Sequence, residues 1–294
     1  MQQEDLDRLV ETITAQVRAR LQSSTSCDSC QASAAECSAC GNCASRRETD
    51  TRNIIHLGAS RVATGLNTTG VANDLARYID HTLLKPEATK EELRKLCEEA
   101  RQHGFYSVCV NSANVQFCRG LLAGSNTKVI AVVGFPLGAM ATGSKAFEAR
   151  EAVREGAEEI DMVINVGELR SHNYQYVYED IQKVVEASRP KPVKVIIEAG
   201  GLTDEEKVIS CALSKAGGAR FVKTSTGFGP GGATAADVAL MKRVVGPAME
   251  VKASGGVRDT KGALEMIQAG ATRLGASASV AIVTNQKPTQ AGNY

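Results

Sequence analysis

The sequence predicts a (β/α)8 or TIM barrel, preceded by an amphipathic helix and a flexible Cys-rich linker. From Thr69 onward, short apolar runs alternate with amphipathic stretches, a pattern typical of a parallel sheet covered by helices on both faces. There are eight such runs, the strand count of a closed barrel. A chain of 294 residues accommodates one barrel and an appendage. An open doubly wound sheet is the alternative.

The eight predicted strands share a nearly continuous apolar character. In chain order they are YIDHTLL (78–84), SVCV (107–110), VIAVVGF (129–135), EIDMVIN (159–165), VKVIIEA (193–199), FVKTS (221–225), EVKAS (250–254) and TRLGAS (272–277). The predicted helices between them are TKEELRKLCEEARQHG (89–104), SKAFEAREAVREGA (144–157), YEDIQKVVEASR (178–189), TDEEKVISCALSKAGG (203–218), TAADVALMKRVVG (234–246) and TKGALEMIQAGA (260–271).

Residues 1–21 form a separate amphipathic pattern. Its apolar side chains fall on one helical face, with acids early and arginines late: Leu6, Leu9, Val10, Ile13, Val17 and Leu21. Residues 22–68 have little periodicity and form a predicted linker. We therefore expect three units: a docking helix (1–21), a linker (22–68) and the barrel (69–294).

The linker contains a cluster of five of the nine cysteines, with C-x2-C and C-x2-C-x2-C spacing: Cys27, Cys30, Cys37, Cys40 and Cys43. Thiolates at this spacing can bind zinc or an iron–sulfur cluster. Redox-sensitive disulfides and an unstructured thiol tract are the alternatives. No catalytic role is assigned to the cluster.

The overall composition favours a small-molecule partner. The formal charge is +1, with 34 basic and 33 acidic side chains, so the chain has no broad electrostatic footprint for nucleic acid or an anionic membrane. Trp is absent, and no apolar run approaches the roughly 20 residues that a membrane span needs. The N-terminus lacks a secretory signal, so we expect a soluble protein of the cytoplasm.

Several polar side chains point inward from the predicted strands, where a barrel carries its chemistry: Asp80, Thr82, Cys109, Asp161, Lys194, Glu198, Lys223 and Lys252. An ordinary lysine is neutral only about once in a few thousand molecules at pH 7. Burial and a second nearby lysine both disfavour the ammonium form. Lys223 and Lys252 on adjacent strands therefore predict an amine that attacks a carbonyl to form a Schiff base, with Asp161 as proton shuttle.

Glycine-rich segments follow the last three strands: STGFGPGG (225–232), SGGVRD (254–259) and GASAS (275–279). Backbone amides exposed by glycine at the late loops of a barrel bind phosphate, so a sugar phosphate is the expected substrate. Tight turns without a ligand are the alternative. GFGPGG is not a dinucleotide fingerprint, because it contains a proline and lacks a suitably placed acid.

These residues resemble deoxyribose-phosphate aldolase, a class I Schiff-base aldolase family built on this barrel. The matching runs are IDHTLLKP, SVCVN, VVGFPLG, EIDMVINVG, VKVIIE, FVKTSTGF and VKASGGVR, and the resemblance covers about Ala72 to Val283. It implies reversible cleavage of 2-deoxy-D-ribose 5-phosphate to D-glyceraldehyde 3-phosphate and acetaldehyde, without a metal or cofactor. A different phosphorylated sugar and a catalytically idle barrel are the competing functions.

The resemblance also implies residue roles. Lys223 would form the Schiff base, Lys252 would lower the pKa of Lys223, and Asp161 would relay protons. The substrate-binding set would be Asp80, Thr82, Cys109, Lys194, Thr226, Gly227, Gly255, Gly256 and Ser277. We expect a homodimer or homotetramer.

The chain departs from the family pattern at two places. Ala199, Gly200 and Gly201 follow Glu198 where a threonine is common, and Ser277, Ala278 and Ser279 replace paired serines. Tyr294 resembles a C-terminal tyrosine that some members fold over the site as a proton donor, although a frayed polar tail is the alternative.

The N-terminal extension is an addition to the family pattern. Residues 1–21 with their linker resemble the encapsulation peptides that dock enzymes onto the shell proteins of bacterial microcompartments. An oligomerisation helix or a weak membrane-surface helix is the alternative.

Overall fold

The computed structural model describes residues 75–286, which form a closed barrel of eight parallel strands. Each strand pairs with its neighbour in chain order, and the last strand pairs with the first. The strands are β1 (Ile79–Leu83), β2 (Ser107–Asn111), β3 (Lys128–Val133), β4 (Glu159–Val163), β5 (Val193–Ile196), β6 (Phe221–Lys223), β7 (Glu250–Ser254) and β8 (Arg273–Ala276). The predicted barrel is confirmed, and the open-sheet alternative is wrong.

The helices of this part of the chain connect the strands and pack around them. They are α1 (Lys90–His103), α2 (Val115–Leu121), α3 (Thr142–Arg154), α4 (Val166–Arg170), α5 (Tyr174–Ser188), α6 (Asp204–Ala216), α7 (Ala235–Val245), α8 (Thr260–Gln268) and α9 (Ser279–Thr284). Within residues 75–286, no helix is both long enough and apolar enough to cross a bilayer.

Each of the six predicted helices is present. Helices α2, α4 and α9 were not predicted, because they have only seven, five and six residues, which are too few to show a 3.6-residue pattern. Helix α5 begins four residues before the predicted Tyr178, because the Asn173 side chain accepts a hydrogen bond from the Tyr176 amide and caps the helix earlier.

Two helices begin at capping boxes that the sequence encodes directly. Thr89 before α1 and Thr203 before α6 each accept from the amide of a glutamate three residues on, Glu92 and Glu206. Each glutamate carboxylate in turn accepts from the threonine amide. These paired bonds satisfy amides that the first turn of a helix leaves without partners, and they fix where the helix leaves the barrel rim.

The apolar core lies between the barrel and the helices. Outward-facing strand residues such as Val108, Met162 and Val222 are fully buried against helix side chains. Their inward-facing neighbours include polar and charged residues that are equally buried: Asp80, Thr82, Asp161, Lys194, Lys223 and Lys252. Because side chains alternate along a strand, each strand packs one face in the core and points the other into the barrel.

The predicted docking helix (1–21), the predicted linker (22–68) with its five cysteines, and Tyr294 lie outside the described residues.

Candidate active site

Lys223 and Lys252 meet at one carboxylate inside the barrel. The strand register pairs Lys223 of β6 directly with Lys252 of β7, as expected for adjacent strands. The Nζ atom of Lys223 lies 2.9 Å from Asp161 Oδ2, and the Nζ atom of Lys252 lies 2.8 Å from the same oxygen. Lys223, the last residue of β6, stands at the C-terminal end of its strand, where barrel enzymes carry their chemistry.

A second carboxylate, Asp80, holds Lys252 from the opposite side. Asp80 Oδ2 lies 2.6 Å from Lys252 Nζ, and Asp80 Oδ1 accepts from Ser107 Oγ at 2.6 Å and from Arg273 Nη1 at 3.0 Å. Lys252 thus lies between two buried carboxylates, whereas Lys223 contacts only Asp161 among the described ion pairs. This difference in partners distinguishes the two lysines chemically.

A further layer of charge lies deeper in the barrel. Lys194 contacts Asp161 Oδ1 at 2.8 Å and Glu159 Oε2 at 2.6 Å. Glu159 also pairs with Arg273 Nη1 at 3.0 Å and accepts from the Tyr106 hydroxyl at 3.0 Å. The ammonium of Lys194 is fully buried between these two carboxylates. The direct substrate contact expected for Lys194 stays a prediction.

The charges inside the barrel balance only if one lysine is neutral. The buried part of the connected cluster contains four basic side chains and three carboxylates: Lys194, Lys223, Lys252, Arg273, Asp80, Glu159 and Asp161. The partly exposed Lys128 also contacts Glu159, at 3.9 Å. A net charge without a partner is costly in a buried site. Losing one proton makes the cluster neutral, and the question is which group loses it.

Lys223 is the group that the surroundings favour for deprotonation. Burial, opposed by Asp161 and reinforced by the nearby Lys252 cation, lowers the pKa of Lys223 below its usual value. Burial also acts to lower the pKa of Lys252, but Asp161 and Asp80 outweigh it and raise that pKa. At Lys194, burial again acts to lower the pKa, but Asp161 and Glu159 outweigh it and raise that pKa.

The two aspartates stay ionised in this environment. Burial acts to raise the pKa of Asp161, but Lys194, Lys223 and Lys252 outweigh it and hold the pKa well below its usual value. Burial is likewise outweighed at Asp80, where Arg273 and Lys252 lower the pKa. The site therefore holds an amine whose pKa is lowered, beside a carboxylate and a lysine whose pKa is raised, and this arrangement is suited to attack on a carbonyl carbon.

One wall of this site is apolar. Cys109 of β2 packs with Leu84, Ile130, Val132 and Phe135 in a small cluster separate from the main core. Burial raises the pKa of the Cys109 thiol to about 11, so the thiol is neutral at physiological pH. The substrate contact expected for Cys109 stays a prediction.

Thr82 lies beside this wall. It pairs in register with Cys109, and its hydroxyl donates to the Asp80 carbonyl at 2.8 Å. Asp80, Thr82 and Cys109 therefore lie on the inner face of the barrel, as the alternation of side chains along the strands predicts.

The glycine-rich loops after β6, β7 and β8 adjoin one another at the same end of the barrel. Gly227, Gly255 and Gly256 have φ angles of 89°, 86° and 79°, a left-handed conformation that side chains disfavour. The Ala233 amide donates to the Gly255 carbonyl at 2.8 Å and joins the first two loops. Ser277 is exposed, two residues beyond Gly275, which pairs with Ser254. The phosphate contact expected of these loops stays a prediction.

Glu198 connects the loop after β5 to the loop after β6. Its carboxylate accepts from the Thr226 hydroxyl and, at 3.3 Å, from the Thr226 amide. The Thr226 hydroxyl also accepts from the Phe228 amide at 3.1 Å. Thr226 is buried and its hydroxyl is used within the protein, so the substrate contact expected of it stays a prediction.

Gly200, within the departure at Ala199–Gly201, lies against the loop after β6. A Cβ atom on Gly200 would lie 2.2 Å from the Pro230 carbonyl oxygen in the loop after β6, which is far closer than van der Waals contact. Gly200, two residues after Glu198 in the loop after β5, therefore makes a close backbone approach that a Cβ atom would obstruct.

Sequence reasoning missed Glu159 and Arg273, because each is the first residue of a strand, and a strand-initial charge is usually solvated. It also missed Ser225, whose hydroxyl is fully buried and makes no hydrogen bond to any residue in the described range. A Cβ atom on Gly255 would lie 3.3 Å from Ser225 Cβ, so this hydroxyl adjoins the glycine loops. The sequence signal that could have identified Ser225 is its position at the start of the glycine-rich run STGF (225–228).

A buried amine beside a carboxylate, at the C-terminal end of a closed parallel barrel, is the arrangement of an enzyme active site. Residues 75–287 match the family model described as DeoC/LacD family aldolase. The chain therefore belongs to the DeoC/LacD aldolase family, and the predicted enzyme class is confirmed.

Curated relatives and solved structures agree with this assignment. Deoxyribose-phosphate aldolase from Alkaliphilus oremlandii is 57% identical over 220 residues, which cover 74% of this chain and 99% of that protein. The enzyme of the same name from Thermococcus gammatolerans is 56% identical over 217 residues, covering 72% and 96%. The tetrameric deoxyribose phosphate aldolase structure from Aeropyrum pernix matches with a TM-score of 0.70 at 33% identity, covering 80% of this chain and 97% of that one.

Proposed function

We propose that this chain is a class I aldolase that reversibly cleaves 2-deoxy-D-ribose 5-phosphate to D-glyceraldehyde 3-phosphate and acetaldehyde. The observation that carries the proposal is the contact of Lys223 and Lys252 with one oxygen of Asp161, at 2.9 and 2.8 Å, inside the barrel of an aldolase-family chain. The relatives named deoxyribose-phosphate aldolase support the choice of substrate.

The reaction begins with the neutral amine of Lys223. Its nitrogen attacks the C1 aldehyde carbon of the open-chain sugar and forms a carbinolamine. Loss of water gives a protonated Schiff base, and Asp161 is within hydrogen-bond distance of the amine to carry the protons. Lys252 keeps its proton, so its charge both favours the neutral form of Lys223 and holds Asp161 in place.

Carbon–carbon cleavage follows on the same lysine. The iminium accepts the electron pair of the C2–C3 bond and becomes an enamine. The C3 hydroxyl loses its proton, C3 becomes the aldehyde carbon, and D-glyceraldehyde 3-phosphate is released. Protonation of the enamine at C2 and hydrolysis of the imine then release acetaldehyde and restore Lys223. In the proposal the apolar wall around Cys109 contacts C1 and C2.

Substrate binding is divided between the barrel interior and the loops. Asp80, Thr82 and Lys194 would bind the substrate hydroxyls directly or through the relay, and Thr226 would adjoin them. The amides around Gly227, Gly255, Gly256 and Ser277 would hold the phosphate, with the free Ser225 hydroxyl as a further donor.

Borohydride trapping tests this chemistry. The enzyme is incubated with 2-deoxyribose 5-phosphate and sodium borohydride, and the reduced adduct is located by peptide mass spectrometry. We expect the adduct on Lys223 and none on the Lys223→Met variant. Lys145, which is fully buried and paired with Asp180 at 2.7 Å, serves as an internal control that should stay unmodified. An adduct on Lys252 in place of Lys223 would overturn the assignment.

We propose that residues 1–21 dock the enzyme on a shell protein of a bacterial microcompartment and that residues 22–68 tether them to the barrel. The amphipathic pattern of residues 1–21 and the aldehyde product support this function. Deleting residues 1–60 should leave turnover intact and change localisation from the microcompartment to the bulk cytoplasm. Loss of turnover in a folded truncation would contradict a separate docking unit.

Two further properties remain part of this proposal. We expect a homodimer or homotetramer, supported by the tetrameric relative, and light scattering of the full chain would measure it. Metal binding by the cysteine cluster of residues 27–43 would be measured by metal analysis of the chain purified under reducing conditions.

A further inference from the structure

His81 forms a hydrogen-bonded connection on the outer face of β1. The side chain is buried, with Nε2 2.8 Å from Glu99 Oε2 on α1 and Nδ1 3.0 Å from Ser279 Oγ at the start of α9. Its neighbours in sequence, Asp80 and Thr82, point into the barrel, so His81 does not contact the lysine cluster. The proposed mechanism does not use it.

Ser279 closes the turn that contains Ser277. The Ser279 hydroxyl donates to the carbonyl of Ala276, the last residue of β8, at 2.8 Å. Only Ser277 and Ala278 lie between these two ends. The fixed ends therefore restrict where the Ser277 side chain and amide can lie. Ser279 is fully buried, whereas Ser277 is exposed.

Counting protons gives the direction of each bond. The Ser279 hydroxyl has one hydrogen, which it donates to Ala276, so its oxygen accepts from His81 Nδ1. Glu99 is ionised, because its hydrogen bond with His81 lowers its pKa, and it accepts from Nε2–H. Both ring nitrogens of His81 are therefore used, and a hydrogen bond to the ionised Glu99 holds its geometry more strongly than a neutral one.

We propose that His81 is a positioning residue for phosphate recognition: through Ser279 it holds the turn Ala276–Ser279 so that Ser277 faces the phosphate of the substrate. Glu99 orients the imidazole from the side opposite Ser279. The connection thus joins α1, β1 and the β8–α9 turn on the side of the barrel wall away from the reacting lysine. This inference rests on the proposed function, because it assigns the phosphate to the loop that contains Ser277.

Comparing two substrates tests the proposal. Ser279→Ala removes the acceptor for His81 and the donor for Ala276, and His81→Gln removes the imidazole while keeping a polar side chain. For 2-deoxyribose 5-phosphate, His81→Gln should raise KM about threefold to tenfold, the effect of one lost hydrogen bond to the turn, with kcat little changed. Ser279→Ala, which loses two hydrogen bonds, should raise KM at least as much. For 2-deoxyribose, which lacks the phosphate, kcat/KM should stay as in the unaltered enzyme.

Ser188→Ala is the matched control. Ser188 is a fully buried serine on α5 whose hydroxyl donates to the Val184 carbonyl at 2.7 Å, outside the glycine loops. It should change KM for neither substrate. An equal loss for the two substrates in Ser279→Ala, or unchanged KM for the phosphorylated one, would overturn the positioning role.

Failure of the proposed function would look different from failure of this inference. In that case the unaltered enzyme would give no borohydride adduct on Lys223 and no cleavage of either sugar. If only the positioning role of His81 is wrong, the unaltered enzyme still gives the adduct on Lys223 and still cleaves the sugars. Only the expected difference between the two substrates in the variants is then lost.

Discussion

Lys223 and Lys252 are direct neighbours across β6 and β7, and the Nζ atoms of both contact Asp161 Oδ2. They differ in what else they contact. Lys252 has a second carboxylate, Asp80, at 2.6 Å, and Lys223 lacks one among the described ion pairs. On adjacent strands, the same type of side chain therefore has a raised pKa at Lys252 and a lowered pKa at Lys223.

Removing the Lys252 cation should raise the pKa of Lys223. Burial still lowers that pKa, but the repulsion from Lys252 is gone and Asp161 becomes free to stabilise the Lys223 ammonium. In Lys252→Met, the acidic limb of the pH profile of kcat/KM should therefore move to higher pH by about one unit or more. Stopped-flow or coupled assays between pH 5 and 9 would measure it.

Lys252→Arg is the control for this shift, because it keeps the positive charge. Its acidic limb should stay near that of the unaltered enzyme even if kcat falls. An unmoved limb in a folded Lys252→Met variant would show that Lys252 does not set the pKa of Lys223.

Asp161 should make the protein sensitive to acid. Its folded-state pKa lies well below the unfolded value, so its stabilisation is present above the unfolded pKa of about 3.9 and is lost as pH falls below it. Urea midpoints measured between pH 3 and pH 7 should fall steeply below pH 4. Asp161→Asn should flatten that slope and lower stability at pH 7 by about 3–5 kcal/mol, because it leaves buried lysines unpaired.

Asp180→Asn is a control with the opposite sign. Burial raises the pKa of Asp180 despite its contact with Lys145, so ionising it costs stability as pH rises through the unfolded value. Removing it should not flatten the acid slope. A similar slope in Asp161→Asn and the unaltered enzyme would contradict the role given to Asp161.

Much of this site could be predicted because a barrel gives simple geometric rules. Strands of consecutive number are neighbours, and alternate residues face inward, so the Lys223–Lys252 pair and Asp161 follow from three short runs of sequence. Glu159 and Arg273 could not be predicted in this way. Whether a charge at the start of a strand faces the interior depends on the stagger between strands, which one sequence does not show.

The same limit applies to local structure. Helices α1 and α6 can be predicted from capping boxes in the sequence, whereas α4 and α9 are too short to show a helical period. The need for glycine at position 200 depends on Pro230, thirty residues further along the chain, and therefore appears only when the two loops are placed together.

Cys109 should be slow to alkylate in the native enzyme. Burial raises its pKa to about 11, so at pH 8 only about one thiol in a thousand is ionised, and the side chain is inaccessible. Iodoacetamide labelling followed by peptide mass spectrometry should give far slower modification of Cys109 in the native chain than in the urea-unfolded chain. Native labelling at the rate of a free thiol would contradict the closed apolar wall.

Gly200 and Gly201 provide a matched pair for testing the contact between the loops after β5 and β6. Gly200→Ala places a methyl 2.2 Å from the Pro230 carbonyl oxygen, whereas Gly201→Ala places one 3.5 Å from Pro230 Cγ, an ordinary contact. We expect Gly200→Ala to cost about 1–3 kcal/mol of stability, as overpacking does, and to raise KM by displacing the loop after Lys223. Gly201→Ala should change both much less. Chemical denaturation and steady-state kinetics on the two variants give the comparison, and equal effects would show that the backbone contact at Gly200 does not position the loop.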